Sequence, residues 1–207
     1  MNALGAYSNK AWPTTLSLGL VTIALAGCAH PFVAANFDST YAPRVHAFAI
    51  APIANLSTEP EGAHAGQAIR EAIYYELSEH RDRYTTTIQD IAQSDLLIHR
   101  AGLTDSAAAA LPAPELCRIL GVDAVMRGSV TKFKKHGAAG QIVTAALFGF
   151  AKGSDVKADV AIYDGGDGQL IYQHNIEKAG GLFSSPDALR NDVGKTVAKN
   201  FPYKKKG

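Results

Sequence analysis

Leu120-Gly121-Val122-Asp123-Ala124-Val125-Met126-Arg127-Gly128-Ser129-Val130-Thr131-Lys132-Phe133 is the stretch on which the fold turns. Its first two residues close a helix and the rest open a strand. Pro114 to Leu120 begins on a proline and ends on Gly121, the residue suited to a left-handed C-terminal cap. Val122 to Phe133 is then rich in valine and other apolar residues and long enough for a major strand. Gly128 inside it marks a place where a neighbouring backbone approaches closely.

Outward from this stretch the elements alternate. Downstream, Val156 to Tyr163 and Gln169 to Glu177 read as two strands around Asp164-Gly165-Gly166-Asp167-Gly168, a glycine-rich hairpin turn. The first of them sets charge against apolar residues, as a strand with one wet face does. A last helix starts at Ser185 as N-cap, with Pro186 and Asp187 behind it, and runs to about Asn200 with Leu189, Val193 and Val197 inward. Upstream, Arg44 to Pro52 is an apolar run bounded by prolines, the pattern of a strand buried on both faces. Ala63 to His80 repeats Ala65, Ile69, Ile73 and Leu77 every four residues and predicts an amphipathic helix. Tyr84 to Ile88 predicts a short strand and Asp90 to Arg100 a helix with Ile91, Leu97 and Ile98 turned inward. Leu103 to Pro114 reads as a connector. The expected fold is α/β: a mixed sheet of about five strands covered by helices.

Composition bounds the function. The chain has 207 residues, 20 basic and 19 acidic, and is 47% hydrophobic, enough for a core. A balanced charge argues against an extended nucleic-acid surface, which needs clustered lysine and arginine. The two cysteines, Cys28 and Cys117, do not form a disulfide framework.

The amino terminus carries the most specific signal. Lys10 is its one charged residue before an uncharged run from Leu16 to Ala26, which closes on Leu25-Ala26-Gly27-Cys28. A basic start, a short apolar run and small residues at the cut describe a secretory signal peptide. A membrane span needs about 20 apolar residues, more than this run holds. Leu-Ala-Gly-Cys resembles the lipobox of bacterial lipoproteins, in which the cysteine is acylated and becomes the first residue. That implies a signal peptide over 1–27, covalent lipid on Cys28 as the one attached group, and a tether over 28–43. Ala29 after the cysteine implies the outer membrane. Loss of Lys10 with the leader leaves 19 basic and 19 acidic side chains.

The element order, with Ala47-Phe48-Ala49-Ile50-Ala51-Pro52, Leu120 to Val130 and the hairpin from Ile162 to Tyr172, resembles a group of periplasmic lipoproteins. Their fold is similar to the amino-terminal domain of TolB, an anticodon-binding-domain-like architecture shared with CsgG and the LpoB-type activators. The resemblance implies one α/β domain over 44–203, a lipid anchor on the periplasmic face of the outer membrane, and non-enzymatic work through contacts with envelope proteins or with copies of itself. It supplies no catalytic residues. A CsgG-like channel subunit and a cell-wall ligand binder or enzyme are the alternatives.

Other constellations have plain structural readings. Gly194-Lys195-Thr196 imitates the end of a phosphate loop, but position 189 is Leu189 and the tripeptide falls inside a helix. One copy of Asp164 to Gly168 cannot supply the six to eight oxygens calcium takes. The seven histidines have no metal spacing. Cys117 lies among apolar neighbours with no base identified for it. Lys204-Lys205-Lys206 in the tail over 204–207 reads as a solvated basic end. The insertion over 137–153 is long for a connection, uncharged from Ile142 to Ala151 and bordered by lysines. Ile142, Val143, Leu147, Phe148 and Phe150 are its candidate partner-contact residues. The block does not alternate as a membrane β-strand must, which argues against a pore hairpin.

Overall fold

Strand β2 (Ala47–Ile50) lies one strand in from the edge of a seven-stranded mixed sheet in the order β1-β7-β6-β5-β2-β4, with β3 also on β5. The computed structural model describes residues 30–134, 154–180 and 185–205. Beyond β2 the strands are β1 (Phe32–Val33), β3 (Ala54–Asn55), β4 (Thr87–Ile88), β5 (Ala124–Lys134), β6 (Asp155–Asp164) and β7 (Leu170–Ala179). β2 runs parallel to β4 and β5, whereas β5, β6, β7 and β1 pair antiparallel in turn. A strand with neighbours on both edges and helices on both faces has no wet side, and Phe48, Ala49 and Ile50 are all buried.

The faces divide cleanly. Helices α1 (Ala65–Glu79) and α5 (Pro186–Asn200) cover one, where Phe48 and Ile50 meet Ile69, Ile73, Leu77, Val193 and Val197. Helices α2 (Ile91–Arg100) and α4 (Ala113–Leu120) cover the other, where the small Ala49 and Ala51 make room for Ile98, Leu116 and Leu120. Gly121 caps α4 at φ 69°, ψ 38°, and its N–H donates to the Cys117 carbonyl at 2.8 Å. Ser185 caps α5 by accepting from the Ala188 N–H at 3.1 Å. At Gly128 a side chain would place its Cβ 2.6 Å from the Asp159 carbonyl across the β5–β6 ladder.

Several expectations need correcting. The connector over Leu103 to Pro114 contains helix α3 (Asp105–Ala110), started by Thr104, whose hydroxyl accepts from the Ala107 N–H at 3.2 Å. The sheet has seven strands because β1 and β3 join it, each only two residues long. From Phe32 onward the tether is packed onto the domain: β1 pairs with β7, and Phe37 and Tyr41 are buried in the core. Within α2, Ile98 is fully buried while Ile91 and Leu97 are half-buried.

The N-cap of α2 yields a test. Asp90 accepts from the Ala92 N–H at 2.8 Å and from the Tyr74 hydroxyl at 2.7 Å. The Tyr74 bond, then the backbone bond from Ala92, holds the carboxyl below its ordinary value. A depressed folded pKa gives a contribution that is present above the unfolded value and lost as pH falls through the folded one. Asp90→Ala should cost about 1 kcal/mol near neutrality. In urea melts the gap from wild type should close in strong acid, and a gap that persists there would count against the cap.

Candidate anion-binding cleft

Five cationic side chains line one cleft of about 570 Å³: Arg83, Lys195, Lys199, Lys204 and Lys205, facing the two carboxylates of Glu76 and Asp82. Two distant parts of the chain build it. The first is the end of α1, where His80 breaks the helix and Arg81–Arg83 forms a single tight turn into Tyr84. The second is the last turns of α5 and the tail beyond them.

Aromatic packing roots that tail. Phe201 follows α5 and lies with its ring centroid 5.3 Å from Phe48 and 5.1 Å from Tyr84. Tyr203 packs edge-on against Phe37 at 5.0 Å. With both rings buried, the backbone between them is fixed. The Thr85 N–H donates to the Tyr203 carbonyl at 2.8 Å, Lys204 bridges Tyr84, and the Lys205 N–H donates to the Arg83 carbonyl at 2.8 Å. The backbone of the basic tail is therefore paired through Lys205, while the side chains of Lys204 and Lys205 stay exposed as the sequence suggests. The Lys204 ammonium donates to the Lys199 carbonyl in the final turn of α5, where a cation also complements the helix dipole.

Among the described residues none of these five cations takes part in an ion pair. Five positive against two negative groups lining one concavity leave an excess of positive charge there, which favours an anion. The side chains are open to solvent, so that attraction weakens with salt. Burial raises the Tyr84 hydroxyl above its ordinary pKa.

Other candidate residues resolve as architecture. Cys117 is buried, and burial first, then the Asp164 charge, pushes its thiol up to about 12. A thiol so protonated is a poor nucleophile. A thiol-reactive dye should leave Cys117 unmodified in the native protein and label it after denaturation; rapid native labelling would contradict this. Asp164 is buried at the hairpin, accepting from the Gly166 and Asp167 N–H groups at 2.7 and 2.9 Å and pairing with Arg44 at 2.8 Å. That carboxylate holds a turn. Gly194-Lys195-Thr196 lies inside α5, with Lys195 on the cleft. Among the described residues no group of three metal-ligating side chains converges. Cys28 and the contact set Ile142, Val143, Leu147, Phe148 and Phe150 lie outside the described residues.

No protein-family model matches this sequence, and no curated protein matches it. Solved structures do. Lipoprotein GNA1162 from Neisseria meningitidis matches with a TM-score of 0.54 at 19% identity, over 74% of this chain and 96% of that one. The PelC dodecamer from Paraburkholderia phytofirmans matches at a TM-score of 0.49 and 15% identity, over 75% and 87%. The LpoB C-terminal domain from Salmonella enterica matches at 0.43 and 11%, over 67% and 84%. At such identities the likeness is one of fold, and the mixed, helix-covered α/β sheet of this chain is similar to that of lipoprotein GNA1162.

Proposed function

We propose that this chain is a lipid-anchored, non-enzymatic protein on the periplasmic face of the outer membrane. It assists assembly, secretion or maintenance of an envelope complex through contacts with other envelope proteins. One observation carries the reading: Leu25-Ala26-Gly27-Cys28 closes an uncharged apolar run too short to span a bilayer. The fold likeness to a lipoprotein supports it. Labelled palmitate should enter the wild-type chain in cells, and Cys28→Ser should abolish incorporation and move the protein out of the membrane fraction. Equal labelling of both forms would overturn the reading. The uncharged insertion supplies the contact: Leu147→Ser with Phe148→Ser should remove a cross-linked partner or oligomer while the circular dichroism spectrum stays unchanged. Cross-linking identical to wild type would remove that surface.

A second reading, a binder of small anionic ligands, is favoured by the cleft. Inorganic tripolyphosphate is a suitable probe, since its clustered negative charge suits a cleft lined by five cationic residues. Lys195→Glu with Lys199→Glu should weaken its binding by about tenfold or more in calorimetry, because each exposed charge contributes up to about 1 kcal/mol. Equal binding by the variant would dismiss the cleft.

A further inference from the structure

The stretch between the anchor and the sheet is too short to act as a leash. Phe32 follows Cys28 by four residues, and four residues fully extended span at most about 14 Å. The polar layer between acyl chains and water takes about 5–8 Å of that. A domain of about 150 residues has a radius of gyration of about 15 Å, more than the reach that remains. Nor can the reach be lengthened cheaply. Releasing the residues after Phe32 unpairs β1 from β7, breaks the Ala34 N–H to Ile171 carbonyl bond at 2.9 Å, and pulls Phe37 and Tyr41 out of the core.

The part of the domain held nearest the membrane is therefore β1, the outermost strand of its sheet. Phe32 is 50% exposed and Val33 41%. Leu56, Tyr75 and Leu96, the other exposed large apolar side chains among the described residues, are scattered. Neighbouring strand residues point to opposite faces, so Phe32 and Val33 straddle the sheet edge. Between Cys28 and Asn36 there is no acidic or lysine side chain to repel the headgroup layer or hold the edge in water.

We propose that the β1 edge docks into the interfacial layer of the bilayer that holds the anchor, with Phe32 and Val33 as its apolar contact. The sheet then stands edge-on to the membrane. Its other edge, β4, lies five strand spacings away, about 24 Å. The turn that forms one wall of the basic cleft leads into β4, which sets that wall toward the aqueous side. This orientation rests on the lipidation of Cys28 proposed above.

The single tryptophan of the sequence is Trp12 in the leader, so Phe32→Trp makes a lone reporter in the mature chain. Lipidated protein is reconstituted into phosphatidylethanolamine–phosphatidylglycerol vesicles whose acyl chains carry bromine near the headgroup. Phe32→Trp should be quenched about twofold or more, as expected for a side chain seated about 5–10 Å into the interface. Tyr75→Trp, on the outer face of α1, should be unaffected. Protein that floats with the vesicles yet shows equal quenching at both positions would overturn the docking and leave the anchor standing. A chain that takes up no palmitate and does not float would overturn the anchor, and the docking with it.

Discussion

Phe201→Ala is expected to cost about 3–5 kcal/mol of folding stability and to lower the thermal midpoint by about 6–20 °C. Phe201 is 2% exposed and touches three rings, Phe48, Tyr84 and Tyr203, at centroid distances of 5.3, 5.1 and 5.6 Å. Removing it deletes a large buried apolar surface and leaves a void between β2, the α1 end and the tail. The effect should reach the cleft as well. Lys204 and Lys205 are held by the backbone that Phe201 and Tyr203 pin, so tripolyphosphate affinity should fall although no charge has been removed. Tyr75→Ala, at a position 61% exposed, should stay within about 0.5 kcal/mol of wild type. Denaturant melts of the two variants decide the matter, and a Phe201→Ala cost no larger than that of Tyr75→Ala would sink the account.

Two glycine-to-alanine changes should also destabilise, against the usual sign. In a helix, alanine is favoured over glycine by about 0.8–1.0 kcal/mol. At Gly194 in α5, however, an added Cβ would stand 2.6 Å from the Ala72 carbonyl oxygen in α1. At Gly66 in α1 it would stand 2.2 Å from the Ile53 carbonyl oxygen. Both obstacles are backbone, so α1 must move away from α5 at Gly194 and from the β2–β3 connection at Gly66. Overpacking costs about 1–3 kcal/mol and sometimes more, which against that gain leaves a net loss of up to about 2 kcal/mol for Gly194→Ala and a larger one for Gly66→Ala, where the contact is tighter. Equal or greater stability in either variant by urea melts would show that the contact yields freely. Gly194 thus sits in its Gly-Lys-Thr tripeptide for helix packing and not for phosphate.

What was legible in the sequence was what short-range physics writes there. The buried β2 run, the four-residue repeat of Ala65, Ile69, Ile73 and Leu77, the Gly121 and Ser185 caps and the hairpin at Asp164 to Gly168 each carry their own signal. All five stand in the structure. Helix α3 had a signal as well, Thr104 before an alanine run, but the flanking prolines outweighed it and the stretch read as a connector.

The sequence by itself determined the α/β class and the order of the long elements, because capping, periodicity and short motifs are properties of neighbouring residues. Only the tertiary structure decided that residues 32–41 pack onto the domain and that the backbone at Lys204 and Lys205 is paired. It also placed residues 76–84 and 195–205 around one cleft. A two-residue strand has no period of its own, and a cleft whose walls are more than a hundred residues apart exists only after the sheet has closed its long-range pairings.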